Sequence, residues 1–145
     1  MEAIILAGGM GTRLTERIKD MPKVMAPVNG VPFLDYVLNM LIRYGVRHFI
    51  LAVGYKAPAI LDYYGSSYKG VPIDYAFEDT PLGTGGAIKN AMALCAQPRA
   101  VVVNGDTLCD VNLSAMLACH LEAGRPVTLC AKQMRDFDRY GSLEI

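Results

Sequence analysis

Gly8, Gly9 and Gly11, three glycines in four positions, are followed at once by Thr12 and Arg13. A glycine cluster lets the backbone take left-handed φ values and approach a ligand closely, so that consecutive N–H groups can point at an anion. Arg13 adds a charge that cannot titrate away, and Lys23 adds a second cation after Pro22. Two carboxylates complete the set. Glu78 heads a second glycine-rich stretch, Glu78-Asp79-Thr80-Pro81-Leu82-Gly83-Thr84-Gly85-Gly86, and Asp106 closes Asn104-Gly105-Asp106. Beside a phosphate cradle, a lone carboxylate is a natural Mg²⁺ ligand, because magnesium takes one or two protein carboxylates and completes its octahedron with phosphate and water oxygens. Asp106 also reads as a turn residue capping the loop before Thr107. Glu78 can accept two hydrogen bonds from a guanine N1–H and N2–H₂ edge, or face solvent.

The glycine cluster is neither of two better-known phosphate motifs. The dinucleotide fingerprint G-x-G-x-x-G needs glycine where Leu14 stands. The P-loop needs a lysine directly after its last glycine, and none is there. Asp20-Met21-Pro22 stops any helix soon after the loop, so loop amides rather than a long helix must make the cradle.

The elements that position these residues follow from apolar runs. Ala3-Ile4-Ile5-Leu6-Ala7 reads as a strand buried on both faces. Lys23 to Pro32 reads as an extended loop punctuated by prolines, with Pro32 the first residue of a helix carrying Phe33, Leu34, Val37, Leu38, Leu41 and Ile42, ended by Gly45. Further strands are expected over His48–Val53, Val71–Phe77, Arg99–Asn104 and Pro126–Lys132, with a last one beginning at Ser142–Ile145. Helices are expected over Pro58–Tyr64, after Gly86, and over Leu113–Ala123. Strands alternating with helices predict an α/β fold, a three-layer, mostly parallel sheet flanked by helices with right-handed crossovers. In such sheets ligands bind outside the carboxyl ends of the strands. The first glycine loop, Glu78, the second glycine loop and Asp106 all fall at those ends, which argues for one shared site. His48 reads as a satisfied edge residue, and Asp110 as a cap for the following helix.

The chain has 145 residues, 52% of them apolar, enough for one compact core. Fourteen acidic and fourteen basic residues balance, so no basic surplus points to nucleic acid or an anionic membrane. No apolar run approaches the ~20 residues of a membrane span, and the N-terminus lacks a signal-peptide pattern. Cys95, Cys109, Cys119 and Cys130 stand apart without C-x-x-C; three read as buried small apolar residues and Cys109 as a loop residue, which fits a reduced cytoplasm.

Leu6-Ala7-Gly8-Gly9-Met10-Gly11-Thr12-Arg13-Leu14 followed by Pro22-Lys23 resembles the signature of the sugar-phosphate nucleotidylyltransferases, G-x-G-T-R-L then P-K. The resemblance covers essentially the whole chain, which is read as one nucleotidyltransferase domain over residues 1–145. With Lys132 to Gly141 included, it is nearest the heptose 1-phosphate guanylyltransferases, with the mannose 1-phosphate enzymes next. It implies a Rossmann-like nucleotide-diphospho-sugar transferase fold. It also implies transfer of a nucleoside monophosphate from a triphosphate, with GTP favoured, to a sugar 1-phosphate, releasing pyrophosphate in nucleotide-sugar and cell-surface polysaccharide synthesis. Arg13 and Lys23 would be catalytic and Asp106 would hold Mg²⁺. Leu6, Ala7, Gly8, Gly9, Gly11, Thr12, Glu78, Gly83 and Thr84 would bind nucleotide. Tyr140-Gly141 resembles the Y-G at which the family's acceptor sugar meets the backbone, though it also reads as a turn; Asn104 would reach a sugar hydroxyl. Val24 departs from the proline common after the lysine. Family members continue well past Ile145 with a glutamate–lysine pair and a second metal aspartate, so the acceptor half is expected to be incomplete here. The open strand edge at Ser142–Ile145 predicts association, such as a dimer. A nucleotide-sensing domain of the same fold, without catalysis, is the competing expectation; the retained Arg13, Lys23 and Asp106 favour the enzyme. A D-x-D glycosyltransferase site at Asp136-Phe137-Asp138 fits an exposed turn better.

Overall fold

The computed structural model describes residues 1–9 and 21–133. The chain forms two compact units, Met1–Cys109 and Asp110–Ile145. In the first, β1 (Glu2–Leu6) leads through a 3₁₀ turn (Lys23–Met25), β2 (Pro27–Val28) and β3 (Val31–Pro32) to α1 (Phe33–Arg43). There follow β4 (His48–Val53), α2 (Ala57–Tyr64), β5 (Ser67–Tyr68), β6 (Val71–Phe77), α3 (Gly83–Met92) and β7 (Ala100–Asn104). The sheet order is β5-β6-β4-β1-β7, with β6, β4, β1 and β7 mutually parallel and β5 antiparallel at one edge.

That order places the helices. Right-handed crossovers from β1 to β4 and from β4 to β6 step in one direction across the sheet, so α1 and α2 share a face. The step from β6 to β7 runs back past β4 and β1, so α3 covers the opposite face. Ile4, Ile50, Ala52 and Ala76 meet Ala87 and Ala91 of α3, where small residues let helix and sheet approach closely. The alternate residues of the same strands, Ile5, Phe49, Leu51 and Val53, are also fully buried, as are Leu34, Val37, Leu38 and Leu41 of α1 and Ile60 of α2. Three layers result, as the alternation predicts. The strand order reverses at β1, between β4 and β7, and that switch point is where a crevice opens at the carboxyl ends of the strands.

The expected strands His48–Val53 and Val71–Phe77 form over those residues, and the fourth starts one residue late, at Ala100. Other expectations need correction. The stretch read as an open loop before α1 closes into a β2–β3 hairpin, with Asn29 and Gly30 at φ 51° and 83°. Asn-Gly supplies the two positive φ values that a tight hairpin turn demands. Lys69-Gly70 does the same between β5 and β6, at φ 50° and 79°. Pro32 ends β3 rather than starting α1. Gly83 to Gly86 are not a loop but the first turn of α3.

In the second unit α4 (Leu113–Ala123) forms over the expected residues and ends at Gly124 with φ 58°. Its cap is Asn112, not Asp110: Asn112 Oδ1 accepts the Ala115 amide at 3.0 Å, which satisfies an orphan donor of the first turn. Pro126–Lys132 forms no strand; Val127 and Leu129 are 67% and 68% exposed, and among the described residues no partner strand supplies a ladder. Cys119 and Cys130 are exposed rather than buried, as is Cys109, and Cys95 is half-buried. No helix among the described residues is long and apolar enough to cross a membrane. The expected strand at Ser142–Ile145, Tyr140-Gly141 and Asp136-Phe137-Asp138 lie outside the described residues.

At the amino ends of the strands His48 is the satisfied residue expected. Its Nδ1 lies 2.8 Å from Glu2 Oε1 and its Nε2 2.9 Å from Asp74 Oδ2. Glu2 is buried and also accepts the Ala96 and Gln97 amides at 3.1 and 2.7 Å, tying β1 to the approach to β7. Burial opposes the Glu2 charge, but the hydrogen bonds from His48, Gln97 and Ala96 outweigh it and hold the carboxyl below its ordinary value of 4.5. A carboxyl depressed on folding adds stability that is present above the unfolded value and is lost as pH falls through the folded one. Denaturant unfolding of Glu2→Gln should therefore show less loss of stability below pH 4.5 than the parent. Equal acid sensitivity would remove Glu2 from the account.

Candidate functional site

The carboxyl ends of β1, β4 and β6 converge. Beyond the strands proper, Ala7 N–H donates to Ala52 O at 2.8 Å and Glu78 N–H to Val53 O at 2.9 Å. A Cβ at Gly8 would lie 3.3 Å from Gly54 N and 3.4 Å from Glu78 Oε1. A side chain at Gly8 would press on the Gly54 backbone and the Glu78 carboxylate, so glycine eases the close approach of these segments. Glu78 does not face open solvent. It is half-buried, and its Oε2 accepts the Leu82 amide at 3.1 Å, immediately before α3. Asn90 of α3 donates to Phe77 O at 2.9 Å and fixes the same corner from the other side. Gly83 and Thr84 are exposed in the first turn of α3, where amides have no intrahelical partner. Leu6 and Ala7 carry β1 into Gly8 and Gly9, and a Cβ added at Gly9 would meet nothing within 4 Å among the described residues. Gly11, Thr12 and Arg13 lie outside the described residues.

On the other side of the switch point stands Asp106. Gly105 N–H donates to Leu6 O at 2.9 Å, which folds the turn after β7 against the end of β1. A Cβ on Gly105 would meet Val24 Cγ1 at 3.0 Å, Ile5 Cγ2 at 3.1 Å and Leu6 O at 3.1 Å. Val24 is buried here, so the 3₁₀ turn is anchored directly under Gly105. The neighbours of this contact meet in turn: Lys23 Nζ donates to Asp106 Oδ2 at 2.6 Å, across 83 residues of sequence. Thr107 Oγ1 donates to the other oxygen, Oδ1, at 3.1 Å. Asn104 ends β7 opposite Leu6, with its side chain exposed. The structure thus gathers Gly8, Gly9, Lys23, Glu78, Asn104 and Asp106 at one edge of one sheet.

The donor set suits a hard divalent cation. Asp106 offers carboxylate oxygens that are only partly exposed, and one of them pairs with the Lys23 ammonium. Among the described residues no three metal-capable side chains cluster. Magnesium needs no such cage when substrate phosphates supply the remaining oxygens.

Residues 2–145 match the nucleotidyl transferase family. The chain belongs to that family. It is 46% identical over its whole length to the D-glycero-alpha-D-manno-heptose 1-phosphate guanylyltransferase of Campylobacter jejuni, covering 63% of that protein. It is 44% identical over 99% of its length to the enzyme of the same name from Aneurinibacillus thermoaerophilus, covering 62% of it. The chain therefore spans somewhat over three-fifths of the length of these relatives. A crystal structure of HddC from Yersinia pseudotuberculosis complexed with GMP-PN superposes with TM-score 0.74 at 38% identity, covering 83% of this chain and 54% of that one. The nucleotidyl transferase fold and the resemblance read from the glycine signature are both borne out.

Four residues that shape the site escaped the sequence reading. Gly54 ends β4 as Gly8 ends β1, and that parallel placement was the available signal. Val24, Thr107 and Asn90 act through contacts between distant segments, for which a single sequence carries no pattern.

Proposed function

We propose that this nucleotidyl transferase chain binds GTP with Mg²⁺ and transfers its guanylyl group to a sugar 1-phosphate of the heptose type. The meeting of Lys23 and Asp106 at the switch point, beside the Gly8–Gly9 turn, carries the reading. It sets a cation and a metal-type carboxylate where the phosphates of a nucleotide lying across the sheet edge would be. The names of the relatives favour guanine and a heptose 1-phosphate.

In the proposed reaction a phosphate oxygen of the sugar 1-phosphate attacks the α-phosphorus in line. The new P–O bond forms as the bond to the β-phosphate oxygen breaks, and pyrophosphate leaves with the electron pair. The protein's work is positioning and charge neutralisation. Loop amides from Gly8 to Thr12 would cradle the phosphates, and Arg13 would neutralise the leaving pyrophosphate. Lys23 would contact the α-phosphate. Glu78, with Gly83 and Thr84, would lie along the base edge; Asn104, Tyr140 and Gly141 would meet the sugar. Asp106 would hold Mg²⁺, which when bound polarises the phosphates and offsets their charge. We place residues 1–145 in a single nucleotidyltransferase domain supplying nucleotide-sugar for surface polysaccharide in the cytoplasm. Three exposed free cysteines suit that reducing compartment. Association through a sheet edge remains part of the proposal.

The test is calorimetric titration with GTP, CTP, UTP and dTTP, with and without Mg²⁺. It is followed by pyrophosphate release from GTP with heptose 1-phosphate or mannose 1-phosphate. Mg²⁺-dependent binding of GTP alone is expected, with release favouring the heptose substrate. Preference for another base overturns the guanine assignment, preference for mannose the sugar, and no triphosphate binding the whole reading.

A further inference from the structure

The geometry points to Lys23 as a stand-in cation: its ammonium holds the carboxylate that would take the metal and competes with the metal for it, so the site disfavours metal alone and takes metal and triphosphate together. This rests on the proposed reading of Asp106 as the metal ligand.

Both oxygens of Asp106 are engaged, Oδ2 by Lys23 Nζ at 2.6 Å and Oδ1 by Thr107 Oγ1 at 3.1 Å. The backbone beneath the pair is pinned on both sides. Val24 is buried next to Lys23, with its Cγ1 against Gly105, and Gly105 N–H is bound to Leu6 O at 2.9 Å. The turn carrying Lys23 is closed by the Met25 amide on Pro22 O at 2.9 Å and the Ala26 amide on Lys23 O at 3.1 Å. The pair is therefore presented by anchored backbone, while the two side chains are 38% and 30% exposed and so within reach of solvent and ligand.

An ammonium and a divalent cation on one carboxylate repel each other strongly at such range. Metal arriving alone must displace Lys23 into water or share the oxygen with it. Metal arriving with a triphosphate brings anionic oxygens that can accept the lysine. The four-carbon stem of lysine lets the ammonium swing to them without backbone movement. A half-exposed pair is weak enough to be exchanged readily. The same lysine then serves two states, neutralising Asp106 in the empty site and the phosphates in the filled one.

Mn²⁺ titration of the nucleotide-free chain, read by the electron paramagnetic resonance of the free ion, tests this. Lys23→Met should bind Mn²⁺ about tenfold more tightly than the parent, as expected when one nearby positive charge is removed from a half-exposed site. Lys23→Gln should do the same, and Lys23→Arg should behave as the parent. Adding Asp106→Asn to Lys23→Met should abolish the gain. Circular dichroism checks that each variant is folded, and the two neutral replacements guard against failure of either one. Unchanged or weaker Mn²⁺ binding in folded Lys23→Met and Lys23→Gln overturns the inference, as does a gain that survives Asp106→Asn. The underlying assignment is judged separately, by Mn²⁺ uptake with GTP present. If Asp106→Asn leaves that uptake intact, the metal assignment falls and the inference with it. If uptake falls while Lys23→Met shows no gain, the inference alone is overturned.

Discussion

Asp106→Ala should lower the proposed guanylyl transfer about 10³-fold in kcat/KM, the scale on which loss of one preorganised charge-stabilising group acts, and barely move the unfolding midpoint. The two halves of that expectation have different physical origins. Asp106 is part-exposed, and its bonds are to Lys23 and to the neighbouring Thr107. An ion pair of that exposure contributes about 0–1 kcal/mol to folding, and no buried partner is orphaned when it is lost. Among the described residues Asp106 belongs to no cluster of three or more carboxylates, histidines or cysteines that could inherit the proposed metal. In the proposed reaction, by contrast, charge would develop at phosphates where bound substrate replaces water, and its neutralisation could not be recovered from solvent. Asp110→Ala is the comparison, because Asn112 rather than Asp110 caps α4 and the proposed function assigns Asp110 nothing. Steady-state pyrophosphate release and thermal unfolding on both variants decide the matter. An Asp106→Ala protein with near-parent turnover would refute the metal assignment, and one that unfolds early would mean that the residue is structural.

How much of this could be read beforehand depends on the distance over which each signal acts. Buried parallel strands announce themselves locally, since an apolar run bounded by turn residues needs no partner to be recognised. His48–Val53 and Val71–Phe77 therefore form over the residues expected. The rule that ligands sit at strand carboxyl ends then gathered Gly8, Glu78 and Asp106 without any contact being known. Turn chemistry is legible too: Asn29-Gly30 between two valines is a strong hairpin signal, which competes with the open-loop signal of the flanking prolines and prevails. The stretch Pro126–Lys132 shows the opposite error. Its apolar residues have strand character, yet a strand exists only through a ladder, and 67% exposure at Val127 shows what the composition alone could not. The cap of α4 turns on a finer point. Asp110 and Asn112 both suit a cap, and only the position of the first helical amide chooses between them.

The contacts that join Lys23 to Asp106 were invisible in the sequence, and the sharpest consequence concerns a residue with no chemistry of its own. Gly105→Ala should destabilise the fold by about 1–3 kcal/mol, the range for overfilling a packed interior. It should also lower the proposed transfer by about 10²-fold, the loss expected when reacting groups are displaced by about an ångström. The added methyl would meet Val24 Cγ1 at 3.0 Å, Ile5 Cγ2 at 3.1 Å and Leu6 O at 3.1 Å. None of these is the loose end of a long side chain. Ile5 is fully buried in β1, Val24 is buried in the 3₁₀ turn, and Leu6 O accepts the Gly105 amide itself. Relief must come from moving the turn after β7 away from β1, which weakens that hydrogen bond and carries Asp106 away from Lys23. Backbone conformation is not the cause, since Gly105 is not among the glycines of positive φ. Gly9→Ala supplies the contrast, because nothing lies within 4 Å of the new methyl among the described residues. It should unfold as the parent does and change nucleotide affinity alone. Denaturant unfolding, GTP titration and pyrophosphate release on the two variants separate the effects. A Gly105→Ala protein of parent stability and turnover would mean that the Val24–Gly105 contact does not set the position of the carboxylate.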